Sequence, residues 1–148
     1  FPFEDRIDLV KKGTEDLKNV VVVPSGKFIL SAVTFPGYFY KENDKNATID
    51  ASNDIEIFAS LIAPTLNITV RFAGEEPLDF VTNQYNKYMS EILPMYGISF
   101  EVIARKKEDK EVISASRVRK CIKENDYTQI KKLVPKTTYD YLVKRFKK

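Results

Sequence analysis

Histidine is missing from all 148 residues. That absence excludes imidazole general bases, Ser-His-Asp triads and the commonest ligand for transition metals. Chemistry must run on carboxylates, hydroxyls, Lys, Arg and backbone amides, or on groups outside these residues. The only cysteine, Cys121, falls on an apolar helix position, so a disulfide framework is excluded and a cytoplasmic setting is the simplest expectation. No apolar run approaches the ~20 residues that cross a bilayer and no secretory signal opens the chain, so no membrane partner is expected. Internal repeats and low-complexity linkers are also lacking.

What is present reads as a soluble globular protein. Apolar residues make up 43% and charged residues 30%, and the length suits a single domain, residues 1–148, with a continuous core. The net charge of +3 is unevenly spread. Residues 1–104 hold 9 Lys and Arg against 15 Asp and Glu, a net −6; residues 105–148 hold 15 against 6, a net +9. Such asymmetry fits a C-terminal third that faces something anionic, and equally a well-solvated helical surface.

Periodicity divides the chain into elements. Phe3 to Leu17 reads as a helix, with Ile7, Val10 and Leu17 on one face. Val20 to Val23 is a short β-branched run, the pattern of a strand covered on both faces. Residues 25–50 have no clean period and read as a partly extended excursion with a polar loop near Glu42 to Asn46. Asn53, with Glu56 three residues on, fits a helix cap; Ile55, Phe58, Leu61 and Ile62 share a face, and Pro64 marks the end. Ile68 to Gly74 is the next strand. A long helix from about Leu78 carries Val81, Tyr85, Tyr88, Met89 and Ile92 at helical spacing, ending before Pro94 and Gly97. Ile98 to Ala104 is the third strand, followed by a charged turn from Arg105 to Glu111. Three helices close the chain: one starting at Ser114 or Ser116, one capped by Asp126 with Gln129, and one capped by Thr137 with Asp140.

Strands alternating with helices predict an α/β fold with a mainly parallel sheet, here a core over residues 1–112 and C-terminal helices over 113–148. A parallel domain ordinarily begins with a strand whose following loop builds the ligand site. The expectation is therefore that something belongs before Phe1, and that an unpaired inner strand invites self-association.

The stretch "EVISASRVRKCIKEND" turns from strand-like alternation into a helix pattern at Ser114, Ala115 and Ser116. A helix start offers unpaired amides and the positive end of the macrodipole, small residues admit phosphate oxygens, and hydroxyls add donors. Arg119, one turn in, can reach back with a bidentate fork. Equally, a serine can merely cap the helix while Arg119 faces water. "GEEP" (Gly74 to Pro77) lies between a strand end and a helix, where α/β sheets open their ligand crevice, or is a helix-starting loop with dipole-compatible acids. In "FEDR", Arg6 is a candidate phosphate contact, or the partner of Asp5 or another acid. Phe35, Tyr38, Phe39 and Tyr40 line a channel or pack over a loop.

"ISASRVR" resembles the I-S-S-T-x-I-R motif of HxGH nucleotidyltransferases, in which hydroxyls, amides and an arginine hold a triphosphate. By position, Ser114 and Ser116 take the hydroxyl places and Arg119 the arginine place; Ala115 departs from the second serine, leaving backbone contact there, beside Ile113. Within that superfamily the chain resembles the citrate lyase ligase family over nearly its whole length. The resemblance rests on "FPFEDRIDLVKKGTEDLKNVVVVPSG", "TFPGYF", "DIEIFASLIAPTLNITVRFAGEEP", "YNKYMSEILP" and "ISASRVR" followed by "LVPKTTYDYL". It implies a Rossmann-like nucleotidyltransferase fold, incomplete for want of its leading strands, with C-terminal helices. It also implies an AMP-forming ligase that activates acetate with ATP and Mg²⁺ as acetyl-adenylate, then acetylates a thiol on the acyl carrier subunit of citrate lyase. Gly74 and Glu76 match a G-x-D/E element beside the nucleotide, and Arg6 the aromatic-plus-arginine start of a helix bordering the site. The family's glycine-to-histidine stretch is absent, so these residues are expected to be the second half of the catalytic domain and inactive alone. No residue is assigned to a metal. Lys120, Lys123, Lys131 and Lys132 are the expected docking face for an acidic carrier. Two other readings stay open: a nucleotidyltransferase acting on a different small molecule, and a basic module binding nucleic acid. No recognised nucleic-acid motif supports the latter, so no nucleic-acid partner is expected.

Overall fold

The computed structural model describes residues 1–38, 50–76 and 79–147. Phe39, Tyr40, the polar loop Glu42 to Asn46, Pro77 and the expected helix start at Leu78 lie outside the described residues. The chain forms two compact units, a terminal one of Phe1–Pro24 with Lys106–Lys148 and an inner one of Ser25–Arg105. The N-terminal helix thus groups with the C-terminal helices.

In the inner unit, α2 (Ser52–Ile57) passes without interruption through a π-type turn, Phe58–Ile62, into α3 (Ala63–Thr65). The helix starts earlier than Asn53: Ala51 is its cap position, and Asp50 organises the entry by accepting from Ser52 N–H at 2.9 Å and Ser52 Oγ at 2.6 Å. Pro64 does not stop it at once. Proline has no N–H to give, and the widened turn, in which Ala63 N–H donates to Phe58 O, rearranges the ladder just before it.

β1 (Val70–Gly74) pairs in parallel with β2 (Ser99–Ile103), Val70 opposite Ser99 and Gly74 opposite Ile103. Between them runs α4 (Phe80–Ile92), capped by Asp79, whose side chain accepts from Thr82 N–H at 3.0 Å. A 3₁₀ turn, Leu93–Tyr96, and Gly97 at φ 73° then reverse the chain, a conformation for which glycine pays no Cβ penalty. Phe35, Ile55, Met89 and Leu93 are fully or almost fully buried at the centre of this unit, with Tyr85 stacked on Phe35 at 5.5 Å. Phe35 is therefore core.

In the terminal unit, α1 (Phe3–Gly13) stops short of Leu17, with Thr14 Oγ1 donating back to Val10 O at 2.9 Å. Val20 to Val23 is not a strand: Val21 and Val23 are 84% and 73% exposed. β-Branched residues favour strands only where a neighbouring strand gives their ladder and faces a partner, and none among the described residues pairs with this run. The expected charged turn is instead an antiparallel hairpin, β3 (Lys107–Glu108) against β4 (Glu111–Val112), with Asp109 and Lys110 both at positive φ. The closing helices are α5 (Ala115–Lys123), α6 (Tyr127–Leu133) and α7 (Lys136–Phe146). Asp126 caps α6 as expected, accepting from Gln129 N–H at 2.9 Å. α7 begins at Lys136 with Pro135 in the cap position, so Thr137 lies inside the helix instead of capping it. Cys121, Tyr127, Ile130, Leu133 and Leu142 form the core here, and Asp5 ties α1 to α7 by accepting from Tyr141 Oη at 2.7 Å and Arg145 Nη1 at 2.9 Å.

The mixed α/β class holds. The sheet is smaller than expected, since the described strands make a parallel pair and a separate hairpin. No helix among the described residues is long and apolar enough to cross a membrane.

The inner core is organised around one buried acid. Asp54 is wholly buried; its Oδ1 accepts from Leu30 N–H at 2.6 Å and Thr34 Oγ1 at 2.5 Å, and its Oδ2 from Tyr85 Oη at 2.6 Å. Arg71 from β1 donates to the same Tyr85 oxygen at 3.0 Å and lies over the Phe58 ring at 4.1 Å. One carboxyl group thereby joins the 30–34 turn, α2 and α4, and the tyrosine extends the chain of bonds to β1. Asp54→Ala strands three donors and should lower unfolding free energy by about 3–5 kcal/mol, measured by denaturant titration. Burial, the largest cause, raises the Tyr85 phenol above its ordinary 10.0, with the Asp54 hydrogen bond adding and Arg71 opposing. Since the folded pKa is raised, this contribution is complete below 10.0 and falls away as pH climbs above it. Stability measured across that range should decline in the parent and less steeply in Tyr85→Phe.

Candidate functional site

Ser114 is the residue at which the backbone turns from strand to helix. It sits in the extended region (φ −140°, ψ 156°), and its Oγ accepts from Arg117 N–H at 3.1 Å while its carbonyl accepts from Val118 N–H at 3.1 Å. Of the two serines, Ser114 is therefore the cap. A serine hydroxyl that accepts here keeps its own proton to donate. The amides of Ala115 and Ser116, the first residues of α5, have no acceptor among the described residues.

Arg119 reaches back along the helix, its Nη2 donating to Ser116 Oγ at 3.2 Å, and both residues are exposed. One turn of helix brings i and i+3 side chains onto one face, which is why this spacing works. Ile113, half-buried, anchors the mouth from below, with its N–H donating to Lys106 O at 3.0 Å and its side chain on the terminal core. Ser114, Ala115, Ser116 and Arg119 thus gather at one helix mouth, in which Ser114 is half-buried and Ala115, Ser116 and Arg119 are exposed. The mouth is rich in hydrogen-bond donors.

The other arginine of the stretch has a different task. Arg117 Nη1 donates to the carbonyls of Glu108 at 2.8 Å and Glu111 at 3.2 Å, and its Nε lies 3.4 Å from the Glu111 carboxylate. Its side chain is only 15% exposed, so it fastens the β3–β4 hairpin to the helix start. Nothing in the local sequence pattern separates Arg117 from Arg119. Only the placement of the hairpin carbonyls does.

Arg6, on α1 in the same unit, is exposed and has no acidic partner among the described residues. The pairing with Asp5 is not formed, since Asp5 is held by Tyr141 and Arg145.

Gly74 and Glu76 belong to the inner unit, at the end of β1. Gly74 has no positive φ, and a Cβ built on it would meet nothing within 4 Å. Neither backbone conformation nor internal crowding demands glycine there, and the space above it is open. Glu76 forms an ion pair with Arg105, whose Nε also donates to Glu75 O at 2.8 Å. Arg105, just past β2, thereby staples the loop after β1 to the neighbouring strand end. Among the described residues no three His, Cys, Asp or Glu side chains gather into a metal cage.

The family model described as citrate lyase ligase C-terminal domain matches residues 1–142. Similar curated proteins include the citrate (pro-3S)-lyase ligase of Escherichia coli (strain K12), 42% identical across 96% of this chain and 42% of that protein. The ligases of the same name from Haemophilus influenzae and Klebsiella pneumoniae are 35% and 33% identical, each across 97% of this chain and 44% and 43% of their own lengths. The chain thus spans less than half the length of these relatives. No solved structure matches it.

The two arginines should separate cleanly in stability. Arg117→Ala leaves hairpin carbonyls without their donor and should lower unfolding free energy by about 2 kcal/mol, while Arg119→Ala should change it by less than about 0.5 kcal/mol. Chemical denaturation of the two variants side by side measures the difference.

Proposed function

The chain belongs to the citrate lyase ligase C-terminal domain family, and from that premise we propose that it supplies the triphosphate grip of an AMP-forming ligase. The ligase activates acetate with ATP as acetyl-adenylate, and then passes the acetyl group to a thiol on the acyl carrier subunit of citrate lyase. The Rossmann-like nucleotidyltransferase fold is part of the same reading, supported by the β1–α4–β2 unit with its parallel register. The observation that carries it is the open mouth of α5, where Arg119 folds back over Ser116 beside two unpartnered amides.

Attack of acetate on the α-phosphorus brings two anions together, so the protein must neutralise and orient the triphosphate more than it must act covalently. In this reading the Ala115 and Ser116 amides and the Ser114 and Ser116 hydroxyls hold the departing pyrophosphate oxygens. Arg119 then exchanges its contact with Ser116 for a bidentate one with phosphate. In the inner unit, taken by itself, Gly74 leaves open space in which a nucleotide could approach its backbone, and Glu76, kept in place by Arg105, follows it in the same loop. Arg6 is a free guanidinium available to phosphate or acyl-adenylate. In this reading Mg²⁺ would enter with the triphosphate and offset its charge, and no residue of the chain is assigned to it. No nucleophilic side chain is required, because the attacking thiol belongs to the carrier. The exposed Lys131 and Lys132 on α6, with Lys120 and Lys123 on α5, supply the positive face for an acidic carrier.

In the full ligase, Arg119→Ala should lower kcat/KM for ATP- and acetate-dependent acetylation of deacetylated citrate lyase by about 10²–10³-fold. Activity within twofold of the parent would overturn the triphosphate role. These 148 residues by themselves should give no turnover in that assay. Reversing charge at Lys131 and Lys132 should raise KM for the carrier and flatten its salt dependence, leaving the KM for ATP unchanged.

A further inference from the structure

At the far end of α5 from Ser114 is a cleft of about 490 Å³, lined by Ile122, Lys123, Asn125, Tyr127, Phe146 and Lys147. Its size falls within the ~300–1,000 Å³ common for small-molecule sites. Eight residues of helical rise separate its Lys123 from Ala115, roughly 12 Å along the axis, so it is distinct from the triphosphate grip proposed at the helix mouth.

Two features of the cleft act together. Ile122, Tyr127 and Phe146 make about half of its lining apolar and aromatic. Lys123 and Lys147 are exposed and have no acidic partner among the described residues, and Lys147 Nζ lies 5.6 Å from the centre of the Tyr127 ring. Asn125, at φ 56°, adds an amide at the sharp turn between α5 and α6. Two cations without acidic partners beside apolar and aromatic side chains call for a ligand with an anionic group on an apolar or aromatic body.

We propose that this cleft binds a phosphate monoester of a small aromatic or apolar molecule, with Lys123 and Lys147 on the phosphate and the Tyr127 and Phe146 rings against the body. The site goes beyond the triphosphate grip and does not depend on it.

Phenyl phosphate titrated into the chain, followed by backbone and side-chain amide NMR, tests the proposal, with inorganic phosphate and phenol titrated separately. Saturable shifts confined to residues 122–127 and 146–147 are expected, with phenyl phosphate binding more tightly than either component. The double variant Lys123→Gln/Lys147→Gln replaces only exposed side chains; it should keep the parent spectrum elsewhere and weaken binding at least about tenfold. Arg119→Ala should leave this affinity unchanged. The proposal is overturned if shifts appear only at residues 114–119, if no saturable shift appears, or if the double variant binds as tightly as the parent.

Discussion

The helix beginning at Ala115 depends on a clamp that one residue makes twice. Arg117 gives its backbone N–H to Ser114 Oγ and its guanidinium to the Glu108 and Glu111 carbonyls. The first bond ends the extended backbone and starts the helix; the second holds the preceding hairpin against that start. Because Arg117 is consumed in this way, the next guanidinium along, Arg119, is left to solvent and to Ser116. The triphosphate role proposed for this helix start needs donors that are fixed and yet unspent. The clamp provides the fixing, and leaves the Ala115 and Ser116 amides unspent.

The hairpin in the clamp is held in an unfavourable conformation. A two-residue turn of this kind needs positive φ at both central positions, for which Asn-Gly or Asp-Gly is usual. Here Asp109 and Lys110 occupy it at φ 54° and 66°. Neighbours compensate: Gln129 Nε2 from α6 donates to Asp109 Oδ2 at 3.2 Å, and Arg117 takes the Glu108 and Glu111 carbonyls on either side. Tertiary bonds therefore hold a turn that local preference opposes. The inner unit uses a comparable device at Asp54, where a single buried acid satisfies two turn donors and a tyrosine. There too, polar groups that would be costly alone become structural because each is paired.

Much of this was legible along the chain. Ser114 and Asp126 stand directly before runs with helical spacing, and both prove to be side-chain caps. Cys121, Tyr85 and Met89 fall on the inward faces that their spacing implied. Asn53 and Thr137 carry the same capping signature and are not caps, because packing moved each helix start: burial of Ala51 and Ile55 draws α2 forward, and Pro135 presets the entry of α7. Val20 to Val23 has the strongest strand propensity in the chain and forms none, since a strand exists only as half of a pair. The Asp109–Lys110 turn contains no glycine or asparagine, and so left no local trace.

The order of residues by itself determined the polar and apolar faces, the capped start of α5, and the removal of histidine chemistry from the repertoire. These are consequences of side-chain identity and of 3.6-residue periodicity, both readable over a few turns. Only the tertiary structure decided which arginine of the pair is fastened and which is free, that Glu76 is held by Arg105, and that Tyr127 is buried beside two unpaired lysines. Each of those depends on a group brought from another element of the same unit, and a side chain's neighbours across the fold are not written in its own stretch of sequence.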